Sequence, residues 1–402
     1  MAEADDLDTV KKHGSSQTFV KSISHFSISL STGFPEYSSK LAFSTKTFDK
    51  SISQIRRPHP VNTETDRLDA KLVDVAKRAG CSPATVSRVL NNNPKVGLGV
   101  RERVLKAATD LGYVPNGSAR ALRSTRTRLV GAIIPTLDHA IYATMVNSLQ
   151  TRLSERDVSI IISTSFYDVD MELEQARLLV ERGVEAIALV GSTHRPETLA
   201  MLEQRNIPYV YTYTSDATAV GAAIGFDNVK AGRMAARYLL DLGHKRIAMI
   251  AGITRDNDRA ASRRNGFLEE LVKSGLGKTD IPVVESAYKI EGGRAGMQAL
   301  MAAEQPPSAI FCGSDIIAAG AIKYCHDKGL SVPRDVSILG FDNLEIAELT
   351  TPDLTTVEVP AREMGTIAGD YLLATPAQRE HMRQRELPLR LVVRASTAPI
   401  AR

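Results

Sequence analysis

The pattern of apolar and polar positions changes twice along the chain and divides it into three stretches. Residues 1–68 alternate only weakly and contain 19 Ser and Thr. Residues 71–128 carry apolar positions at helical spacing, and from Leu129 onward apolar runs of strand length alternate with amphipathic segments of helix length. The first stretch is predicted to be disordered, either as a true extension or as a segment upstream of the real start.

The second stretch predicts short helices joined by tight turns. An apolar stripe over Leu72–Ala79 ends at Gly80, a residue type that adopts the left-handed conformation at little cost. Ser82-Pro83 is typical of an N-cap and the first position of a second helix. A third helix is predicted from about Val100 to Leu111. Two short helices around a glycine turn predict a helix-turn-helix domain over residues 70–114.

The third stretch, residues 129–402, predicts an α/β body. Its apolar strands are continuous rather than alternating, which is typical of parallel sheets covered by helices on both faces. More than ten elements predict two doubly wound lobes, the first over about 129–226 and 359–380, the second over about 227–358 and 388–402. Ligands of such sheets bind beyond the carboxyl ends of the strands. The predicted helices lie near 141–156, 170–182, 196–205, 228–241, 259–273, 292–303 and 315–328.

Charge is concentrated in the helical stretch. Residues 71–128 hold 12 Lys and Arg against 3 Asp and Glu, whereas residues 129–402 hold 29 against 34. A small basic module attached to a mildly acidic body is typical of a nucleic-acid-binding domain on a larger protein, although a basic stretch can also be a solvated face.

Composition narrows the possible locations and chemistries. The three Cys form no CxxC pair, the acidic N-terminus has no apolar core of a signal peptide, and no apolar run reaches membrane length. These features predict a cytoplasmic protein without a cofactor. The His residues show no metal spacing, and neither a GxGxxG nor a GxSxG motif is found. We therefore expect no catalytic residues and no metal site.

The motifs DVAKRAG, SPATVSRVLN, RERVL, LGYVPN and ARALRS follow one another within residues 71–128. Further motifs follow in the body, namely GFDN, LGHKRIAMIAG, RRNGF, VPRDVSILGFDN and LTTVEVP. From about Lys71 to the C-terminus the chain thus resembles the lactose repressor (LacI/GalR) family of bacterial transcription regulators. The resemblance implies a helix-turn-helix and hinge helix, a body of the periplasmic-binding-protein type, and a repressor of transcription.

The second helix of a helix-turn-helix lies in the major groove with its first residues over the base edges. Arg88 is the best candidate for base reading, because a guanidinium bonds guanine O6 and N7 together. Pro83 and Ala84 can offer only apolar contacts. The resemblance implies that polar side chains along this helix fix its register on the phosphates, although solvent-facing polarity explains them too. The predicted DNA-contacting residues here are Ser82, Pro83, Ala84, Thr85, Ser87, Arg88 and Asn91.

Residues 115–128 are predicted to form a hinge helix and linker that fold only against a partner. In the family, two hinge helices pair in the minor groove. The resemblance implies that Leu122 is a wedge between base steps, with Ala119 packed nearby and Asn116 as the cap; packing of Leu122 on the partner's hinge is the alternative. The basic residues Arg120, Arg123, Arg126 and Arg128 are expected to attract the DNA backbone.

One helix-turn-helix covers half a site, so a homodimer on a pseudo-palindromic operator is expected. The leucine-heptad tail of the tetrameric lactose repressor is missing, which also favours a dimer.

The resemblance places a small-molecule effector between the lobes of the body. It implies that Arg263 bonds hydroxyls or a carboxylate of the ligand, that Asp342 accepts from its hydroxyls and that Tyr288 stacks on it. A buried Arg–Asp pair with aromatic walls suits a polyol or sugar acid. Surface pairing for Arg263, helix capping for Asp342 and core packing for Tyr288 are the alternatives. The other predicted cleft residues are His139, Ile141, Tyr142, Val190, Tyr213, Phe226, Ser314 and Val359.

Two other functions remain to be weighed against a regulator. An enzyme lacks support because Gly277-Lys278-Thr279 only resembles the end of a P-loop, without the earlier Gly. A sugar-binding protein without a DNA role would not need the basic helical stretch. Whether the effector releases the repressor from DNA or is required for binding does not follow from the residues.

Overall fold

The computed structural model describes residues 70–114, 126–215 and 221–400. The predicted N-terminal extension, most of the hinge and the predicted contacts of Asn116, Ala119 and Leu122 lie outside these ranges, so those expectations stay predictions.

Three helices form the domain that begins at residue 70: α1 (Leu72–Ala79), α2 (Pro83–Leu90) and α3 (Leu98–Asp110). Gly80 ends α1 with φ +62°, and the Ser82 hydroxyl caps α2 by accepting from the N–H of Thr85 at 3.2 Å. The fully buried valines Val75, Val86 and Val104 lie at the centre of its core. The third helix starts two residues earlier than Val100, because Gly97 serves as its N-cap.

The first lobe of the body is built on a six-stranded sheet. Its strands are β1 (Leu129–Ile134), β2 (Ser159–Thr164), β3 (Ala186–Val190), β4 (Tyr209–Thr212), β5 (Ala222–Gly225) and β11 (Gln384–Glu386), in the spatial order β11-β5-β4-β3-β1-β2 and all parallel. The sixth strand lies beyond residue 380, where the first lobe was predicted to end.

The second lobe has a sheet of the same kind. Its strands are β6 (Ile247–Gly252), β7 (Val283–Ser286), β8 (Ala309–Cys312), β9 (Ser337–Asp342), β10 (Thr355–Glu358) and β12 (Arg390–Val392), in the order β12-β10-β9-β8-β6-β7. Only the last strand, β12, runs antiparallel, against β10.

Nine helices of the described body cover the sheets. They are α4 (Ala140–Ser154), α5 (Val169–Glu181), α6 (Pro196–Gln204), α7 (Asn228–Asp241), α8 (Asp258–Lys273), α9 (Ile290–Met301), α10 (Asp315–Asp327), α11 (Ala361–Leu373) and α12 (Pro376–Glu380). Helix α4 packs on α11, α7 on α8 and α9 on α10. Within the described ranges, no helix is long and apolar enough to cross a membrane.

The chain passes between the lobes three times: from β5 to α7, from β10 to α11 and from β11 to β12. The carboxyl ends of β1, β2, β6, β8 and β9 meet across the gap between the lobes, because residues following each of them line one cavity. The fold therefore places the strand exits of both sheets on a shared cleft, as the doubly wound pattern predicts.

Candidate ligand cleft and nucleic-acid interface

Helix α2 presents an exposed polar face at its N-terminal end. Pro83, Ala84 and Arg88 are exposed, while Val86 and Val89 of the same helix are buried. The hydroxyl of Ser82 lies 2.9 Å from that of Thr85, so the cap and the first turn are held together. Asn91 donates to the Ser87 hydroxyl at 3.5 Å. The predicted base-reading side chain, Arg88, thus lies on an exposed surface that the domain core holds in place.

Some basic residues of this stretch serve the protein's own structure. Arg101 donates to the carbonyl of Asn93 at 2.8 Å and so fixes the turn after α2, and Arg103 donates to the carbonyl of Ala79 at 3.4 Å. These two guanidiniums tie the turns after α2 and α1 to α3. Both side chains therefore have a structural role within this domain.

Arg126 and Arg128, which are expected to attract the DNA backbone, make ion pairs with the first lobe. Arg126 makes an ion pair with Glu185 at 2.7 Å, and Arg128 lies 3.5 Å from Asp157. The hydrogen bond and charge of Glu185 raise the pKa of Arg126 above its ordinary value. These ion pairs connect the start of the body to the first lobe, and the attraction of both residues to DNA stays a prediction.

A cavity with about 40 Å³ of free space lies between the lobes. Nine of the eleven residues predicted at the cleft line it: His139, Ile141, Tyr142, Tyr213, Phe226, Arg263, Tyr288, Ser314 and Asp342. Sequence reasoning missed other lining residues, namely Tyr167, Asn228, Asn257, Arg259, Gly313, Ile316, Phe341 and Leu344. The cavity thus combines an aromatic wall, two guanidiniums and a carboxyl group.

Val359 and Val190 are the two predicted cleft residues that do not line this cavity. Val359 lines a neighbouring groove. Val190 is the last residue of β3. Its side chain is buried in the first lobe and does not line this cavity. The backbone carbonyl of Val190 instead accepts from Nη1 of Arg259 at 3.0 Å. Val190 thus reaches the interlobe region through its backbone carbonyl, and its predicted contact with the effector stays a prediction.

Aromatic rings from both lobes close one side of the cavity. Tyr167 of the first lobe stacks on Tyr288 of the second, with centroids 5.9 Å apart and an interplanar angle of 15°. The Tyr167 hydroxyl lies 3.3 Å from Nδ1 of His139 and 3.4 Å from the Tyr142 hydroxyl. Burial lowers the pKa of His139. The wall is therefore uncharged at neutral pH, and its polar atoms can donate or accept.

Arg263 is buried, at 6% exposure, and lines the cavity. Its Nη1 donates to Oδ1 of Asn228 at 2.7 Å, and Asn228 in turn donates to the carbonyl of Tyr213 at 2.9 Å. The guanidinium carbon lies 3.9 Å above the Phe341 ring. Within the described ranges, Nε of Arg263 has no hydrogen-bond partner and no carboxylate forms an ion pair with this side chain.

The expected Arg–Asp pair is therefore not formed. Asp342 lines the same cavity as Arg263 but is not bonded to it. Burial, and after it the nearby Asp315 carboxyl, raise the pKa of Asp342 well above its ordinary value, while Arg263 lowers it. Asp342 therefore shares the cavity with Arg263 without pairing with it.

Asp315 positions the loop that carries Asp342. Its carboxyl group accepts from the N–H of Leu344 at 2.7 Å and from the Thr356 hydroxyl at 2.6 Å. Asp342 and Asn343 both have positive φ, at +111° and +56°, a costly conformation for residues other than Gly. Burial raises the pKa of Asp315 to about 7. Ser314, directly before it, caps α10 by accepting from the N–H of Ile317 at 3.3 Å.

Two of the missed residues left a signal in the sequence. Arg259 precedes Arg263 by one helical turn, so the two share a face of α8. Tyr167 follows β2, which ends at the same edge of the sheet as β1. Phe166 and Tyr167 both have positive φ, at +52° and +61°. This conformation is not predictable from the residue types. In the described ranges, no group of three or more His, Cys, Asp or Glu could hold a metal ion.

The three-helix domain and the cleft of the body together define a class of protein: a helix-turn-helix domain joined to a two-lobed ligand-binding body. Family models agree with this class. Residues 71–116 match the bacterial regulatory proteins of the lacI family, and residues 236–397 match a periplasmic binding protein-like domain.

Relatives cover most of the chain. It is 33% identical over 301 residues to catabolite control protein A of Priestia megaterium. The aligned residues cover 75% of this chain and 91% of the relative. It is 32% identical over 332 residues to the HTH-type transcriptional repressor PurR of Erwinia tasmaniensis, with 82% and 97% covered. The structure of the lac repressor dimer bound to operator and the anti-inducer ONPF superposes with a TM-score of 0.74 and 26% identity, over 82% of this chain and 99% of the other.

The chain therefore belongs to the lacI family of bacterial regulatory proteins. It is a DNA-binding transcriptional repressor with an effector-binding domain.

Proposed function

We propose that Arg88 reads guanine in each half of an inverted-repeat operator, and that a polyol or sugar acid held between the lobes sets the affinity for that operator. The observation that carries the proposal is that one chain joins an exposed, capped recognition helix to a cleft where polar groups of two lobes converge. In this proposal the protein binds its ligands without catalysing a reaction. It acts in the cytoplasm, because chromosomal DNA is located there in bacteria.

The DNA half of the proposal follows from the α2 surface. Arg88 is the long, exposed donor on this helix, and a bidentate contact to guanine distinguishes bases by about 1–3 kcal/mol. Pro83 and Ala84 would give apolar contacts at the helix start. Thr85, Ser87 and Asn91 would bond phosphates and fix the register. Leu122 stays a predicted minor-groove wedge beside Ala119.

The effector half follows from the charges of the cavity. Arg263 brings a buried positive charge without a carboxylate partner, and Asp342 brings a carboxyl group that lines the same cavity. A ligand carboxylate would supply the missing counterion, and neighbouring ligand hydroxyls would bond Asp342, His139 and Tyr142. The uncharged rings would cover the apolar face of the ligand. A hydroxylated acid satisfies all of these groups, whereas a purely apolar ligand would leave them unpaired.

Substitution of the base-reading residue tests the DNA half. Arg88→Ala should weaken binding to the preferred duplex by about 1–3 kcal/mol, roughly 5- to 150-fold, and relax the preference at one base pair in each half-site. Fluorescence anisotropy with single-base variants of the duplex measures both effects.

Arg78→Ala is the matched control, because Arg78 is also exposed but lies on α1 and pairs with Asp110 at 3.2 Å. It should leave the base preference intact. If Arg88→Ala weakened all duplexes equally, Arg88 would contact only phosphate and the proposed base reading would be lost.

A further inference from the structure

One carboxylate holds the chain at the point where it enters the body. Glu185 directly precedes β3, and its N–H donates to the carbonyl of Leu129, the first residue of β1, at 2.7 Å. Oε2 of Glu185 accepts from Nη2 and Nε of Arg126 at 2.7 and 3.1 Å. Oε1 of Glu185 accepts from the backbone N–H of Arg128 at 2.9 Å. We call these three bonds to the Glu185 carboxylate the entry clamp.

The residue between the two clamped positions is also bonded to the first lobe. The hydroxyl of Thr127 donates to the carbonyl of Gly183 at 2.5 Å. Gly183 has φ +78°, and a Cβ atom added there would lie 3.0 Å from the methyl group of Thr127. The turn that precedes β3 therefore lies directly against Thr127. Residues 126–128 are thus held by a single turn of the first lobe.

A left-handed residue sets the direction of the chain at this point. Arg128 has φ +57°, a costly conformation for a residue other than Gly, which persists only where the surroundings determine it. Its N–H is held by Glu185, and its carbonyl accepts from the N–H of Ser159 in β2 at 2.9 Å. Because the peptide groups on both sides of the Arg128 Cα atom are bonded to the first lobe, the path of the chain before residue 128 is fixed relative to that lobe.

The clamp is suited to positioning the chain rather than to stabilising the fold. The side chain of Glu185 is 25% exposed and that of Arg126 is 69% exposed. Burial raises the pKa of Glu185, but the hydrogen bonds from Arg126 and from the N–H of Arg128 outweigh it and leave the pKa below its ordinary value. The carboxylate is therefore ionised at neutral pH. An ion pair this exposed contributes little to stability, so its loss should leave the body folded.

Release of the clamp would lengthen the connection between the body and the DNA-binding domain. Residues 115–125 join that domain to the clamp, and release would add residues 126–128 to this connection. Three extended residues span at most about 10 Å, at roughly 3.3–3.6 Å each. Since one base pair occupies about 3.4 Å of the duplex axis, each domain could then shift by up to about three base pairs. The clamp thus limits how far apart the two DNA-binding domains of a dimer can lie.

We propose that Glu185 is a positioning residue that, through residues 126–128, sets the half-site spacing of the operator. The proposal rests on the inverted-repeat operator proposed above and adds the residue that determines its spacing. A clamped dimer binds both half-sites well at one separation, because its two domains are held at a defined distance. A released dimer accepts several separations, but it binds each more weakly, because a longer connection lowers the effective concentration of the second domain.

A spacing series with the full-length protein tests this role. The probes are the inverted repeat selected by the wild type, the same duplex with one or two base pairs inserted at its centre, and a single half-site. Insertion of one base pair should weaken wild-type binding at least about tenfold. Glu185→Ala should bind the selected repeat about tenfold more weakly than the wild type, and insertion should weaken it further by no more than about threefold. Its affinity for the single half-site should equal that of the wild type.

Asp157→Asn is the matched control. Asp157 is a carboxylate that contacts the same segment, but only through the side chain of Arg128, at 3.5 Å, and it is 88% exposed. Asparagine also tolerates the positive φ of this position, +56°. The variant should keep the spacing profile of the wild type. The Tm of both variants should stay within about 3 °C of the wild type, because neither ion pair is buried.

Equal insertion penalties in the wild type and in Glu185→Ala would overturn the proposal. Equal weakening of Glu185→Ala on every duplex, half-site included, or a fall in its Tm of more than about 3 °C, would mark a merely structural role and would also overturn it. A wild type that prefers no inverted repeat would overturn the operator proposed above, and the role of Glu185 with it.

Discussion

Val104→Asp is expected to abolish operator binding while the body stays folded. Val104 is fully buried where α3 meets the other two helices. An unpaired carboxylate there would cost at least about 3 kcal/mol, on the scale of other uncompensated buried charges. At roughly 0.05–0.15 kcal/mol per residue, a domain of this size has only a few kcal/mol of stability. Its unfolding would remove the recognition helix altogether.

The measurement is anisotropy with the selected duplex, and affinity should fall at least about 1,000-fold, to the non-specific level. Leu105→Asp is the control, because it makes the same change at the next position of α3 on a side chain that is 47% exposed. It should change affinity no more than about threefold. Intact operator binding by Val104→Asp would mean that DNA is bound elsewhere on the chain.

Arg263→Met should remove most of the affinity for the effector. Removing one partner of a buried, charge-assisted contact costs about 2–5 kcal/mol, roughly 30- to 5,000-fold in affinity. A thermal-shift screen of polyols, sugar acids and nucleobases first identifies the ligand, because specific binding raises Tm. Calorimetry with that ligand then gives the affinity of the variant.

Arg264→Met provides the comparison from the next position of α8. Arg264 is 31% exposed and pairs with Glu285 at 2.9 Å outside the cavity. Its loss should change effector affinity less than about fivefold, as is usual for exposed ion pairs. Equal affinities in wild type and Arg263→Met would place the effector outside this cleft.

The sequence predicted the features that depend on local rules. The N-cap at Ser82 and the left-handed turn at Gly80 follow from the conformations that these residue types prefer, and the structure confirms both. The start of α3 was predicted two residues late, since Gly97 gives no signal for a cap. The short β11 strand was missed because its residues, Gln384–Glu386, are polar and exposed.

The composition of the cleft was predictable where it depends on strand exits, and less so where it depends on tertiary contacts. His139 and Asp342 follow the ends of buried strands and do reach the cavity. Tyr167 reaches it through a positive-φ turn, and Arg259 reaches it because the lobes approach each other. The ion pairs of Arg126 and Arg128 with the first lobe also join residues far apart in sequence. Such long-range contacts leave no periodic pattern in the chain.

Selection of duplexes from a random pool by the full-length protein tests the central claim most directly. At about 150 mM salt, the protein should bind as a dimer, enrich an inverted repeat and prefer it to random DNA at least about 1,000-fold. The ligand found by thermal shift should change that affinity at least fivefold. A monomeric protein with equal affinity for inverted repeats and random DNA, unchanged by any ligand that raises its Tm, would contradict the account.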